Sequence, residues 1–258
     1  VNPTRASLAG LACIALALLT ANGCKQDENT ALADVRPFRP AIAAMAVFDP
    51  PLEVLTVAVP GDLPAFVLSG RGGGCPRTVF MHGMCGHGMG YLQAFQVAGR
   101  DHGGVLGLQG DIDCGGGTFR KYTANPEKQD QRIRDAFEAI CGDEAQADDL
   151  VLMGYSQGAY IAERMAEQFP SRYSRVVLIG APTTPSAARL RHVRGAVMIS
   201  GEFDAKYRMK EGAQDLIAEK IPARYLEMPG AYHGQMIDGE RIMGEALDWL
   251  DENALPAP

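Results

Sequence analysis

The 258-residue chain has no run of basic residues, and its 24 Lys+Arg are outnumbered by 31 Asp+Glu, for a formal charge of −7. An acidic surface repels phosphate backbones, so nucleic acid is excluded as a partner. None of the six cysteines forms a Cys-x-x-Cys pair, which leaves a zinc ribbon or a thioredoxin-type redox motif without support. His82, His87, Asp111 and Asp113 lack a metal-type helical spacing, so no catalytic metal is expected. The glycine-rich strings do not complete a nucleotide fingerprint. Arg71 to Gly74 precedes a strand candidate instead of following one, and Gly115 to Gly117 lacks the Lys-Ser/Thr of a P-loop, so no cofactor is expected. Glycine follows no period, which excludes collagen-like and solenoid architectures. What is present is a 47% hydrophobic chain, enough for one sizeable core.

The N-terminal segment reads as an export signal. Arg5 precedes an apolar run from Leu8 to Leu19 that is too short to span a bilayer and suits a secretory h-region. Two cleavage sites compete. Ala31-Leu32-Ala33 has the A-x-A form but lies far from the apolar run. Ala21-Asn22-Gly23-Cys24 follows it closely and resembles a lipobox, departing from that pattern at Ala21. The favoured reading is a signal peptide over 1–23 and a lipidated Cys24, with membrane contact through the N-terminal lipid only; plain secretion and a buried N-terminal helix are the alternatives. Residues 24–50, polar and then proline-rich, read as a tether, and 51–258 as one catalytic domain. Export to an oxidising compartment suits the four remaining cysteines, Cys75, Cys85, Cys114 and Cys141, which allow two disulfides in three connectivities.

Beyond the tether, short apolar runs alternate with helical patterns. The strand candidates are Leu52–Val59, Phe66–Ser69, Thr78–His82, Gly104–Leu108, Leu150–Met153, Val176–Ile179, Ala196–Ser200 and Tyr225–Met228. The helix candidates are Tyr91–Arg100, Pro126–Cys141, Gln157–Gln168, Lys210–Lys220 and Gly239–Leu255. The later strands carry unbroken apolar runs (LVLM, VVLI, AVMI), as parallel strands covered on both faces do. An α/β class follows, with one mostly parallel eight-stranded sheet flanked by helices.

The most informative string joins a buried strand to a helix through Gly154-Tyr155-Ser156-Gln157-Gly158, a G-x-S-x-G elbow. Such a turn needs glycines because side chains there would strike the adjoining strand and helix. It holds the serine hydroxyl above the sheet at a helix N-terminus, where partial positive charge favours a developing alkoxide. The structural alternative is a Ser156 that merely caps the helix.

With this string in place, the chain resembles the α/β-hydrolase superfamily from about Leu52 to Leu255. The resemblance implies an acid after a later strand and a histidine after the last one, in the order Ser, Asp, His. Asp204, in Gly201-Glu202-Phe203-Asp204, and His233, in Gly230-Ala231-Tyr232-His233-Gly234, fill those places. Glu202 is the competing acid, and His82, His87, His102 and His192 are the competing histidines. The chemistry needs such a set, since a serine hydroxyl is a poor nucleophile until a histidine takes its proton, and the imidazolium needs a carboxylate. The resemblance also implies an oxyanion hole from the backbone N–H of Gln157 and that of Met84, with Cys85 second, in the loop His82-Gly83-Met84-Cys85-Gly86. His82 there suits a loop-orienting hydrogen bonder better than a base. A catalytic role for Cys85 has little support, because the related dienelactone hydrolases place their thiol in the elbow. The family's adjacent third and fourth strands imply Cys85–Cys114 near the active-site rim, which leaves Cys75–Cys141 at the opposite end of the sheet.

Only Ala181 to Gly195 separates the strand ending at Ile179 from the next, too little for a helical lid. The expectation is an open serine hydrolase cleaving carboxylic esters, short-acyl or polymer-linked. Residues from Gly110 to Pro126 are expected to shape its rim. A serine peptidase or thioesterase of the same fold, or a surface lipoprotein that only binds, are the alternatives.

Overall fold

The computed structural model describes residues 52–142 and 148–257. The expected signal peptide, Cys24 and the tether lie outside them. Ten strands and six helices follow in the order β1 (Val54–Val57), β2 (Ala65–Ser69), β3 (Thr78–Met81), α1 (Gly88–Leu92), α2 (Gln96–Asp101), β4 (Gly104–Leu108), β5 (Ile112–Asp113), β6 (Arg120–Lys121), α3 (Pro126–Cys141), β7 (Val151–Tyr155), α4 (Gln157–Gln168), β8 (Arg175–Ile179), β9 (Gly195–Gly201), α5 (Lys206–Ala218), β10 (Ala223–Met228) and α6 (Gly239–Asn253).

Eight strands form one sheet in the order β1-β2-β4-β3-β7-β8-β9-β10. β2 pairs antiparallel with both β1 and β4, and every pairing from β4 to β10 is parallel. Side chains alternate across a strand, so the unbroken apolar runs feed two cores. Leu152, Val176, Leu178 and Met198 face the layer built by α3, α4 and α5. Val151, Met153, Val177, Ile179 and Val197 face the layer built by α1, α2 and α6. The eight-stranded, mostly parallel, helix-flanked sheet expected from the sequence is therefore present. β7, whose C-terminal end carries Ser156, is internal to it.

Two features differ from the sequence reading. The single helix expected over Tyr91–Arg100 is broken into α1 and α2. Between them Phe95 leaves helical geometry (φ −147°, ψ 46°) and is fully buried. The N–H groups thus freed at Val97 and Ala98 donate to the carboxylate of Glu240 on α6 at 3.0 and 2.9 Å, a cap supplied from a distant segment. The other difference is the β5–β6 ribbon, antiparallel through Ile112 opposite Lys121 and Asp113 opposite Arg120. It is stitched to the loop after β3 by the Gly86–Arg120 bridge and by a disulfide between Cys85 and Cys114. β4, α3 and α4 keep the expected bounds, and those of the remaining elements shift by up to four residues, the most at α5, which starts at Lys206 and not Lys210.

The second disulfide joins Cys75, just before β3, to Cys141, the last residue of α3. It closes 66 residues of sequence. Replacing both cysteines with alanine is expected to lower the unfolding free energy by about 2–4 kcal/mol in urea titrations. A change below about 0.5 kcal/mol would show that the link contributes little.

Candidate active site

The turn from β7 to α4 places Ser156 at φ +51°, a left-handed conformation that costs a non-glycine residue energy. Its neighbours make the turn possible. A Cβ at Gly158 would lie 2.1 Å from the Met81 carbonyl oxygen, and one at Gly154 would lie 2.5 Å from the backbone of Gly158. The Ser156 N–H donates to the Ile179 carbonyl at 2.8 Å, which ties the elbow to β8. Although Ser156 occupies the N-cap position of α4, its hydroxyl caps nothing. It lies instead 3.0 Å from Nε2 of His233.

The opposite ring nitrogen of His233, Nδ1, is 2.8 Å from Oδ2 of Asp204. A carboxylate can only accept, so Nδ1 carries a proton there and a neutral ring turns the bare Nε2 lone pair toward the serine. Asp204 follows β9 and His233 follows β10, as expected. Their loops run in contact: Glu202 and Phe203 N–H donate to the Met228 and Ala231 carbonyls, both at 3.0 Å. At Gly201 a Cβ would be 2.4 Å from the Ala231 oxygen. Gly180 (φ +53°) clears the space beside the pair, where a Cβ would fall 2.9 Å from Asp204 Oδ2. The other Asp204 oxygen accepts the Ala205 N–H at 2.6 Å. Glu202, the competing acid, accepts the Gly230 N–H at 2.8 Å and so pins the turn before the histidine.

Tyr155 contributes from within the elbow, a role that its place in the motif does not announce. Its ring is buried, and its hydroxyl accepts the Gly234 N–H at 2.6 Å. Burial pushes that phenol up to about 12. One residue thus adjoins the nucleophile in sequence and holds the histidine loop in space.

The residues expected to supply the oxyanion donors are Gln157, which follows the serine, and Met84, in the loop after β3. Gln157 is the first residue of α4, so its N–H has no intrahelical acceptor. Its side-chain amide pairs with the Tyr122 backbone in both directions, at 3.0 and 3.3 Å. Met84 follows Gly83, where a Cβ would touch the Ser156 Cβ at 3.3 Å. Cys85, the second choice, has φ +52° and is held by its disulfide.

His82 orients this loop. It is fully buried; its Nδ1 donates to the Gly83 carbonyl at 2.7 Å, and its Nε2 accepts the Gly110 N–H at 3.0 Å. Gly83 O also receives the Gly86 N–H at 3.0 Å, so the carbonyl before Met84 is fixed from two directions. Tyr122 completes the support by packing its ring, tilted by 37°, against His82 with centroids 4.6 Å apart. Its hydroxyl accepts the His82 N–H at 3.1 Å and donates to the Leu108 carbonyl at 2.5 Å. Behind it, burial disfavours the charge of Asp111, yet bonds from Lys128, Thr123 and Gln129 hold its carboxyl far below the usual range. None of the other competing histidines contacts a nucleophile. His87 packs on Phe66, His102 bonds Ala98 and Asp248, and His192 accepts from Arg191. Among the described residues no three His, Cys, Asp or Glu side chains converge where a metal could be held.

No family model matches the chain, and no curated protein matches it by sequence. Solved structures do. A fluorophosphonate-binding serine hydrolase of Staphylococcus aureus is 11% identical with a TM-score of 0.55, over 77% of this chain and 97% of that one. A CIB-like hydrolase of Thermoplasma acidophilum is 17% identical (TM-score 0.55; 78% and 98%). An S-formylglutathione hydrolase of Staphylococcus aureus is 12% identical (TM-score 0.54; 77% and 97%). At such identities the likeness is one of fold, and the fold is that of the α/β hydrolases.

Burial lowers the His82 pKa to about 4, below the ordinary 6.5. A base depressed in the native state stabilises the fold fully above 6.5, and that contribution is lost as the pH falls toward 4. Urea titrations from pH 7 to pH 4 should show about 3 kcal/mol lost to this group, and His82→Gln should remove that part of the slope. An unchanged slope in the variant would count against the neutral, loop-holding histidine.

Proposed function

We propose that the protein is a serine hydrolase that cleaves carboxylic esters through an acyl-enzyme on Ser156. The observation that carries this reading is the aligned pair of hydrogen bonds, Oγ–Nε2 at 3.0 Å and Nδ1–Oδ2 at 2.8 Å, ending on a hydroxyl that does no capping work. In the first step Oγ attacks the ester carbonyl while Nε2 takes its proton. The oxygen that becomes negative is met by the N–H groups of Gln157 and Met84. The carbon–oxygen bond to the alcohol then breaks as Nε2 returns the proton to the leaving oxygen. A water repeats the sequence on the acyl-serine, releasing the acid and restoring the hydroxyl. Asp204 keeps the ring in the required tautomer and stabilises the imidazolium formed twice per cycle.

Ester substrates fit the openness of the site. His233 is 48% exposed in its side chain, and the connection from β8 to β9 contains no helix that could cover it. The same reading includes export as a lipoprotein, with residues 1–23 removed, Cys24 acylated and 24–50 as the tether. The h-region, the lipobox-like string and the two disulfides support that address.

Hydrolysis of p-nitrophenyl acetate and butyrate tests the reaction. Ser156→Ala is expected to lose turnover to near the uncatalysed rate, and Asp204→Asn to lower kcat by about 10³–10⁴ with the fold intact. Turnover by Ser156→Ala equal to that of the unaltered protein would overturn the assignment.

A further inference from the structure

Five non-glycine residues among those described hold a positive φ, and two of them stand at the candidate site, Ser156 at +51° and Cys85 at +52°. Asp149 and Asp238 are of a type that tolerates this conformation, and Lys220 follows the end of α5, where helices commonly place it. Neither reason applies to Cys85. A residue of its kind stays left-handed only where the surrounding structure holds it there.

Gly83 to Gly86 form a tight turn, closed by the Gly86 N–H donating to the Gly83 carbonyl at 3.0 Å, with Met84 and Cys85 at its centre. A positive φ at the third position of a turn ordinarily calls for glycine. The flanking residues have no side chain to grip, and that of Met84 is 62% exposed. What ties the turn by a side chain is the Cys85–Cys114 disulfide. Its far end is well anchored. The Cys114 N–H donates to the Phe119 carbonyl at 3.0 Å, and Asp113 Oδ1 accepts the N–H groups of Gly115 and Gly117, both at 3.1 Å. Arg120 fastens the ribbon further, donating to the carbonyls of Gly110 at 2.6 Å and Asp111 at 3.2 Å.

The turn bears on the proposed oxyanion donor because the Met84 N–H and the Gly83 carbonyl belong to one planar peptide and point in opposite directions. Whatever fixes the carbonyl aims the N–H. Two groups fix it, the His82 ring and the Gly86 N–H, and the second is in place only while the turn keeps its shape.

Resting on the ester-hydrolase reading above, we propose that the Cys85–Cys114 disulfide is a positioning element for turnover, which holds Cys85 left-handed, keeps the Gly83–Gly86 turn closed and so keeps the Met84 N–H aimed at the oxyanion. Its contribution is made in the transition state, so loss of the link lowers kcat and leaves KM in place. The other disulfide has no such part, since Cys75 and Cys141 pack against the core.

The test compares p-nitrophenyl acetate hydrolysis by variants of the full chain, with urea midpoints to verify the fold. Cys85→Ala with Cys114→Ala is expected to lower kcat by at least about ten-fold, with KM within about two-fold of its original value. Cys85→Gly with Cys114→Ala is expected to recover most of that loss, because glycine takes the left-handed conformation with no link to hold it. Cys114→Ala alone, a milder break of the link, is expected to move kcat in the same direction as the alanine pair. Cys75→Ala with Cys141→Ala is expected to keep kcat. An unchanged kcat in the alanine pair overturns the proposal, as does an equal loss in the glycine pair or in the Cys75 and Cys141 pair. Hydrogen exchange at the Gly86 amide reads the turn without turnover, and it should quicken in the alanine pair and slow again in the glycine pair. Ester hydrolysis that survives Ser156→Ala, with Gly86 following that pattern, would strike the ester-hydrolase reading and leave the loop-holding part of the disulfide in place.

Discussion

The site depends on one steric constraint, the close passage of the β7–α4 turn over the end of β3. With a Cβ at Gly158 only 2.1 Å from the Met81 oxygen, glycine alone lets the helix begin where it does. That contact forces Ser156 into a left-handed backbone conformation and lifts its hydroxyl off the helix it would otherwise cap. The strain is held by a rigid surround. β7 is bracketed by β3 and β8, both of its faces are buried, and the Ser156 N–H is tied to Ile179. The elbow therefore converts packing energy, spread over two cores, into the position of one oxygen atom.

The supporting parts divide into two groups that meet at the serine. On one side Asp204, Glu202, Gly180 and the Tyr155 hydroxyl hold the histidine loop. On the other, His82, Tyr122 and the Gln157 amide hold the loop after β3 and the start of α4, where the proposed oxyanion donors lie. The second group is largely buried and neutral at its centre. Charge is kept further out, on Asp111 with Lys128 and on Arg132 with Asp62, which Arg132 contacts at 2.7 Å. In the proposed reaction, such a centre presents fixed dipoles to the developing oxyanion.

Much of this was legible in the residues, and the reason is physical. β7, β8 and β9 are covered on both faces, so each appears as an unbroken apolar run. The elbow is legible because sterics permit so few residues there. Where the reading failed, the deciding partner is remote in sequence. The break between α1 and α2 depends on Glu240, 142 residues beyond the amide of Ala98. The β5–β6 ribbon has two residues per strand and no apolar alternation, so nothing local announces it; a disulfide and one bridge hold it in place. Nothing in the sequence around Tyr155 and Tyr122 announces a part in the site, and only their hydroxyl partners, 79 and 40 residues away, reveal it.

The most direct test of the central claim is to look for the covalent intermediate itself. The protein is mixed with p-nitrophenyl acetate, quenched in acid within the first turnovers and digested, and the peptides are weighed. The account predicts one acetyl group on the peptide containing Ser156, absent from Asp204→Asn and His233→Ala samples quenched at the same time. Turnover with Ser156 unmodified throughout, or an acetyl group carried on another side chain in proportion to turnover, would contradict it.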